Sequence, residues 1–386
     1  MLSNFGSSDG GRETWAYSFI PLLLGLNDKL HLRIFGFTPT GEPDNSDKLM
    51  RLARTGETER FVTKFFKVKW PSLPLFFSMF YRLKRYLQDS ESDAPQLALA
   101  PGGLFEMLML TYIPKYKNST KVLWLRGIFC NEKANRVPFF LLPLLKKFEI
   151  YIVKKADVLI ANGDDIAAYY GQYGLKIHVI KNGVDMSKWS VRDPVMKGPV
   201  HVAFIGRLAE AKGIVEFLKM VQMIKSGRNA ESFVFSVIGH GPFSDEVESL
   251  KEKGALSCHG MVEHNELPKY LENFDVCVAL TLAKDVGGGG GTSNALLEQM
   301  AAGRVILAWD NAIFRQLLDE QNSYLVKQGD VAALAGSLHE ILLDKDRALS
   351  KGIAGKQVVS GFSINSQMDK FKKLVPSLIE IGQSNS

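Results

Sequence analysis

The chain has 386 residues, 46% hydrophobic and 23% charged, with a formal net charge of +6. That length exceeds the usual limit of a single core and predicts two domains, and the composition is that of an ordinary globular protein, which excludes disordered and fibrous classes. No run approaches the ~18–20 apolar residues of a membrane span, Met1–Gly6 carries no signal-peptide core, and Cys130, Cys258 and Cys277 fit neither a disulfide framework nor zinc-ligand spacing. A cytoplasmic protein is expected.

In the first half, strands are predicted at 1–5, 31–37, 97–100, 121–125, 157–161 and 177–180, with helices at 11–25, 45–57, 72–88, 103–112, 135–154 and 164–172. This half carries the positive charge: residues 51–155 hold 19 Lys and Arg against 8 Asp and Glu, whereas residues 196–386 hold 20 against 22. Aromatics interleave the basic residues, as in Phe80–Tyr81–Arg82–Leu83–Lys84–Arg85–Tyr86 and Phe139–Phe140 followed by Lys146–Lys147–Phe148. Nucleic acid, an anionic bilayer surface or a solvated face each fit such a pattern. No nucleic-acid motif accompanies it.

Residues 182–199, rich in Gly, Asp and Pro, form the candidate hinge. Beyond it, strands are predicted at 201–206, 233–238, 256–260, 275–281, 304–309 and 323–326, with helices at 213–226, 243–253, 266–273, 294–302, 311–319 and 330–344. Short apolar strands alternating with helices imply a parallel sheet covered on both faces. The predicted fold class is α/β: two Rossmann-like, doubly wound domains facing across a cleft. Residues 1–190 form the first, 191–365 the second, and an amphipathic segment at 366–382 follows.

Chemistry concentrates in the second half. Gly287–Gly291, Thr292, Ser293 and Asn294 run into a helix near Ser293. Glycines can turn backbone N–H groups toward an anion, and the helix start adds its own N–H groups and positive dipole end. Asn294 and Glu298, four apart, share one helical face. A phosphate cradle with a carboxylate one turn behind suits a nucleotide diphosphate whose ribose needs an acceptor. Upstream, Arg207 leaves the carboxyl end of strand 201–206 and Lys212 begins the next helix. A guanidinium fork and an ammonium converging there suit a pyrophosphate leaving group.

The array Gly206–Arg207–Leu208, Lys212–Gly213, Val237–Ile238–Gly239–His240–Gly241–Pro242, and Gly291 through Asn294, Glu298 and Gly303 resembles glycosyltransferase family 4. Those are retaining, nucleotide-sugar-dependent enzymes of the GT-B fold. The resemblance implies that Arg207 and Lys212 hold the donor diphosphate, that Glu298 takes the ribose, and that Gly10 and Gly11 approach the donor by backbone. It also implies that the last helix packs back on the first domain. His240 stands where it could meet base or sugar, and Gly290, Gly291, Thr292, Ser293 and Asn294 complete the donor set.

Two departures stand out. The family's first glutamate, separated from its second by seven intervening residues, would fall at Gly290, with Asp285 nearby as a substitute or as a plain loop carboxylate. Where a histidine often follows the first-domain strand, this chain has Arg126, either an anion ligand for acceptor or donor phosphate or a strand-end partner of Glu132. Arg126, Arg207 and Lys212 form the expected catalytic set.

The implied activity is retaining transfer of a hexose-type unit from a UDP-, GDP- or other nucleotide sugar to an acceptor hydroxyl. No metal is expected, and the products are expected in cell-surface polysaccharide, lipopolysaccharide or lipid-linked glycan synthesis. The partners would be the nucleotide sugar, a glycan or lipid-linked acceptor and an anionic membrane surface, with the protein peripheral on the inner face of the plasma membrane and no nucleic acid involved. The alternatives are a sugar-nucleotide epimerase of similar fold and a catalytically weakened sugar-nucleotide-binding partner.

Overall fold

The computed structural model describes residues 2–3, 11–26, 31–39, 61–68, 80–82, 84–86, 96–102, 104–130, 138–189, 193–283 and 293–375. The expected helix at 45–57, together with Gly10, Glu132, Asp285 and Gly287–Thr292, lies outside them. Among the described residues, one unit holds the chain through Asn182 and again from Ile364, and the other spans Gly183 to Ser363. The division therefore precedes the expected 190/191 boundary. Val184 already belongs to the second unit, pairing with Ser363 and donating its N–H to Phe362 O at 3.0 Å, and Trp189 is buried in that unit's core.

The first unit is built on parallel strands. β1 (Leu2–Ser3), β2 (Leu32–Pro39) and β3 (Phe61–Val68) pair in that order, and β4 (Leu97–Pro101), β5 (Thr120–Leu125), β6 (Val158–Ala161) and β7 (His178–Val179) form a second run. Strand β3 was not foreseen. Its lysines mark it as a charged stretch, yet its Phe, Val and Thr residues suit a strand, and it pairs with β2 from Leu32↔Phe61 to Pro39↔Val68.

Helix Gly11–Leu24 stacks Trp15 on Phe19 with ring centres 4.6 Å apart, and Trp124 of β5 meets both rings edge-on. Phe371 from the closing helix Ile364–Leu374 completes the pile, 5.5 Å from Trp124 and 5.2 Å from Phe19. Offset and edge-to-face contacts of this kind add to the burial of large apolar rings.

A buried carboxylate anchors the other side of this unit. Helix Leu142–Val153, entered through a 3-10 turn at Phe139–Leu141, buries Glu149 completely. Glu149 accepts the N–H groups of Phe129 (2.9 Å) and Cys130 (3.2 Å) and the Tyr170 hydroxyl (2.5 Å). Burial first, and the neighbouring carboxylate second, push the Cys130 thiol and the Tyr170 phenol upward, so both stay neutral.

In the second unit β8 (Val200–Ile205), β9 (Phe233–Ile238), β10 (Ser257–Cys258), β11 (Val276–Ala279), β12 (Val305–Asp310) and β13 (Tyr324–Lys327) form one parallel sheet in the order β10-β9-β8-β11-β12-β13. The order reverses between β8 and β11, the point where doubly wound sheets open a crevice at their carboxyl ends.

Two helical expectations need correction. Residues 311–319 form turns, because Asn311 Oδ1 accepts the N–H groups of Ile313 (3.0 Å) and Phe314 (3.3 Å) and so competes with the helical ladder. Helix Lys345–Ser360 was missed, its apolar stripe broken by Gly352, Gly355 and scattered lysines. Gly352 is required by packing: a Cβ there would sit 2.6 Å from Gly303 O.

Glu149→Ala leaves the half-buried Phe129 N–H, the buried Cys130 N–H and the buried Tyr170 phenol without this acceptor, and is expected to lower the unfolding free energy by roughly 3 kcal/mol. Urea denaturation checks this, and a loss below about 1 kcal/mol contradicts the anchoring role.

Candidate functional site

The site starts at the carboxyl end of β8, beside β11 at the reversal point. Gly206 leaves the strand at φ +152° and donates its N–H to Ile238 O at 3.0 Å. Arg207 is exposed, while Leu208 is buried, donating its N–H to His240 O (3.1 Å) and accepting from Phe243 N (3.2 Å). The loops after β8 and β9 thus clamp each other. Their backbones are too close for side chains: a Cβ on Gly239 would lie 1.9 Å from Gly206 O, and one on Gly241 2.4 Å from Leu208 O. Gly239 and Gly241 are required by that approach.

The chain next makes a 3-10 turn at Glu210–Lys212, and Gly213 at φ +76° sends it into helix Ile214–Lys225. Leu282 N–H donates to Ala211 O at 3.0 Å, fixing the turn against the segment that follows β11. Lys212 is delivered in this way to the ends of β8 and β11. There a cavity of about 70 Å³ is lined by Ile205, Gly206, Lys212, Ala279, Thr281, Ser293 and Gln299, with Phe204, Leu280 and Phe314 among its apolar walls. A water molecule's share of liquid volume is roughly 30 Å³, so the space suits a small polar group.

Helix Asn294–Ala301 meets the cavity with its N-terminal end. Ser293 is its N-cap, the Oγ accepting from Leu296 N at 3.5 Å, and Ser293 and Asn294 are half-buried. The Lys212 turn and this helix mouth, expected to lie together, both reach the cavity, lined by Lys212 and Ser293. Arg207 is outside the lining but close enough to act on Lys212. Desolvation first, and the Arg207 charge second, hold the Lys212 ammonium below its ordinary pKa, although the side chain keeps solvent-exposed area. Among the described residues no carboxylate pairs with either cation.

Glu298 is buried to 7% exposure, and its Oε1 lies 2.8 Å from His264 Nε2. Trp189 sets its ring edge against His264 at 5.4 Å. His264 was missed, since a partner 34 positions from Glu298 shows in no local spacing. Gln299 was missed as well. It is 3% exposed and lines the cavity, and its Oε1 has no hydrogen-bond partner among the described residues. The signal was a polar residue three positions after Leu296, on a helical face otherwise apolar.

The remaining expected residues fall elsewhere. His240 is exposed, with Nδ1 3.1 Å from Ser244 Oγ. Arg126 lies in the first unit and is not part of the cavity lining. Its Nη1 donates to Asn182 Oδ1 at 3.2 Å, and its guanidinium stacks 4.0 Å from the Trp15 ring centre. Gly11 opens helix Gly11–Leu24, while Gly10, Gly290, Gly291 and Thr292 are outside the described residues. Among the described residues no three His, Cys, Asp or Glu side chains converge as a metal site.

Residues 199–344 match the family model Glycosyl transferases group 1. Over this segment, less than half of the chain, the protein is similar to the group 1 glycosyltransferases. The match agrees with the resemblance to glycosyltransferase family 4 carried by Gly206 through Gly303. Among curated proteins, 2-deoxystreptamine N-acetyl-D-glucosaminyltransferase of Streptomyces fradiae is 28% identical over 151 residues, 38% of this chain and 34% of that protein. Glycogen synthase of Mycobacterium tuberculosis is 24% identical over 220 residues, 54% of this chain and 51% of that protein. The matched segments thus span between about a third and a half of these relatives' length.

Solved structures match over nearly the whole chain. Anabaena HepE in complex with UDP and glucose aligns with a TM-score of 0.72 at 14% identity, covering 97% of this chain and 98% of that one. Sucrose-phosphate synthase from Thermosynechococcus elongatus aligns with a TM-score of 0.73 at 16% identity, covering 98% of each. The fold is GT-B, as predicted.

The state of Lys212 has a measurable consequence in the unliganded protein. A lysine whose folded pKa lies below its unfolded value binds its proton better in the unfolded chain. Its charge therefore weakens the fold at neutral pH, and stability is gained as pH rises through the folded pKa. Lys212→Gln is expected to leave the Tm of the unliganded protein unchanged or to raise it. A clear drop in a thermal melt contradicts the assignment.

Proposed function

We propose that this chain is a retaining glycosyltransferase that moves a hexose-type unit from a nucleotide-diphosphate sugar to an acceptor hydroxyl. The observation that carries this is the pair Arg207 and Lys212, without a carboxylate partner among the described residues, with Lys212 sharing a cavity with the N-cap of helix Asn294–Ala301. Two like charges held together in a folded protein need an anion to offset their repulsion, and a diphosphate supplies it. That the structural neighbour HepE was solved with UDP and with UDP-glucose supports a nucleotide-sugar donor.

In the proposed reaction the bond from the anomeric carbon to the diphosphate oxygen breaks while Arg207, Lys212 and the helix end neutralise the departing charge. The acceptor oxygen bonds to that carbon on the same face, and its proton passes to an oxygen of the leaving phosphate. Catalysis is then mainly positioning and electrostatics. Positive groups of the protein supply the neutralising charge in this scheme, so a bound metal has no assigned part. Glu298 takes the ribose hydroxyls, with His264 orienting its carboxylate. His240, Asn294 and the backbone around Gly290, Gly291 and Thr292 complete donor binding. In the first unit, Gly10 and Gly11 and the Trp15-stacked Arg126 serve the donor phosphate or an anionic acceptor group.

The basic, aromatic-rich first unit suits an acceptor presented at a membrane, such as a lipid-linked glycan or a lipopolysaccharide precursor, with the enzyme on the cytoplasmic face. Gly290, standing where the family carries its first glutamate, favours one second reading, a sugar-nucleotide-binding partner with weakened catalysis.

The test is incubation with a panel of labelled nucleotide sugars. Transfer or slow hydrolysis is expected, interconversion of the sugars would instead indicate an epimerase, and binding without turnover would favour the partner role. Arg207→Ala and Lys212→Ala are each expected to reduce donor turnover by roughly 10²–10³-fold. Unchanged turnover in both removes these residues from the mechanism.

A further inference from the structure

Helix Leu142–Val153 turns the wrong side outward for a helix of a water-exposed domain. Its inner face is anchored by Glu149, Ile152 and Val153. On the outer face Leu144, Phe148 and Tyr151, at the i, i+4, i+7 spacing of one helical stripe, are 66%, 40% and 46% exposed. The preceding 3-10 turn extends the stripe with Phe139 and Phe140, 83% and 66% exposed. Lone exposed apolar residues need no explanation, but a contiguous stripe of this size marks a surface that something covers.

The charge of the same face identifies the occupant. Lys147, Lys154 and Lys155 are exposed and project from this side of the helix, and Lys155 Nζ lies 4.6 Å from the Tyr151 ring. The helix's one acid, Glu149, is wholly buried in hydrogen bonds on the opposite face. An apolar stripe whose exposed charges on the same helix are all cations complements an anionic bilayer: the rings enter the interface, and the lysine stems lie along it with their ammonium groups at the headgroups. Among the described residues no helix is long and apolar enough to cross a membrane, so attachment by this face is interfacial.

We infer that the outer face of residues 139–155 is a bilayer-docking surface, which inserts Phe139, Phe140 and Leu144 into the headgroup boundary of an anionic membrane. The inference deepens the proposed acceptor class but does not depend on turnover, because vesicle binding is read without donor. A chain that binds vesicles yet transfers no sugar would refute the transferase and leave this surface standing, and the converse result would do the opposite.

The experiment is co-sedimentation of the full chain with vesicles of phosphatidylcholine alone or mixed with phosphatidylglycerol, at low and high salt, alongside sedimentation velocity without lipid. The wild type is expected to pellet with the anionic vesicles and to be released by salt. Lys147→Gln with Lys154→Gln should weaken partitioning by roughly thirtyfold at low salt, each lysine near the surface contributing about a factor of five. The triple change Phe139→Ser, Phe140→Ser, Leu144→Ser should abolish pelleting while leaving the circular dichroism spectrum and Tm intact. A wild type that stays in the supernatant with both vesicles overturns the inference. So does a triple variant that pellets like wild type, or a wild type that self-associates through this stripe without binding lipid.

Discussion

The second unit depends on one electrostatic constraint: two cations are held near each other in a place that offers them no counter-charge among the described residues. Arg207 and Lys212 cannot relax apart freely, because the loop bearing them is fixed at both ends. Leu208 is hydrogen-bonded into the β9 loop on one side, and Ala211 is tied to Leu282 on the other. Gly239 and Gly241 let these backbones approach to distances that any Cβ would prevent. The folded loop thus holds like charges near each other, an arrangement that fits the anion-binding role proposed above.

Sheet order decides where that charge is delivered. Strands β8 and β11 are neighbours although β9 and β10 intervene in sequence, so the loops after them diverge to opposite sides and leave a gap at their carboxyl ends. Lys212 comes from the first of these loops, and the Ser293-capped helix follows the second. Glu298 sits one turn into that helix, fixed by a histidine from a different strand-end segment. The site is thus assembled from pieces whose sequence separation bears no relation to their spatial proximity.

This explains what could be read from the chain. The apolar runs of β8, β9, β11, β12 and β13 and the Gly206–Arg207…Lys212 signature are local patterns, and local patterns were legible. His264 and Gln299 were not, because one gains meaning only from Glu298 and the other only from the cavity beneath it. Helix Lys345–Ser360 was hidden by glycines that serve packing against Gly303, a tertiary reason with no local signature. In the first unit β3 was obscured by its lysines. At 311–319 helical periodicity lost to a single Asn311 side chain.

The composition of the first unit's core has a consequence for biogenesis. Its aromatic pile takes Trp15, Phe19 and Trp124 from early in the chain and Phe371 from near its end. On a ribosome emitting the chain from its amino end, the second unit is fully synthesised before that last ring emerges. The nascent first unit must then wait, with tryptophan faces uncovered, until the final helix arrives. Chaperone demand during synthesis falls on the half made first.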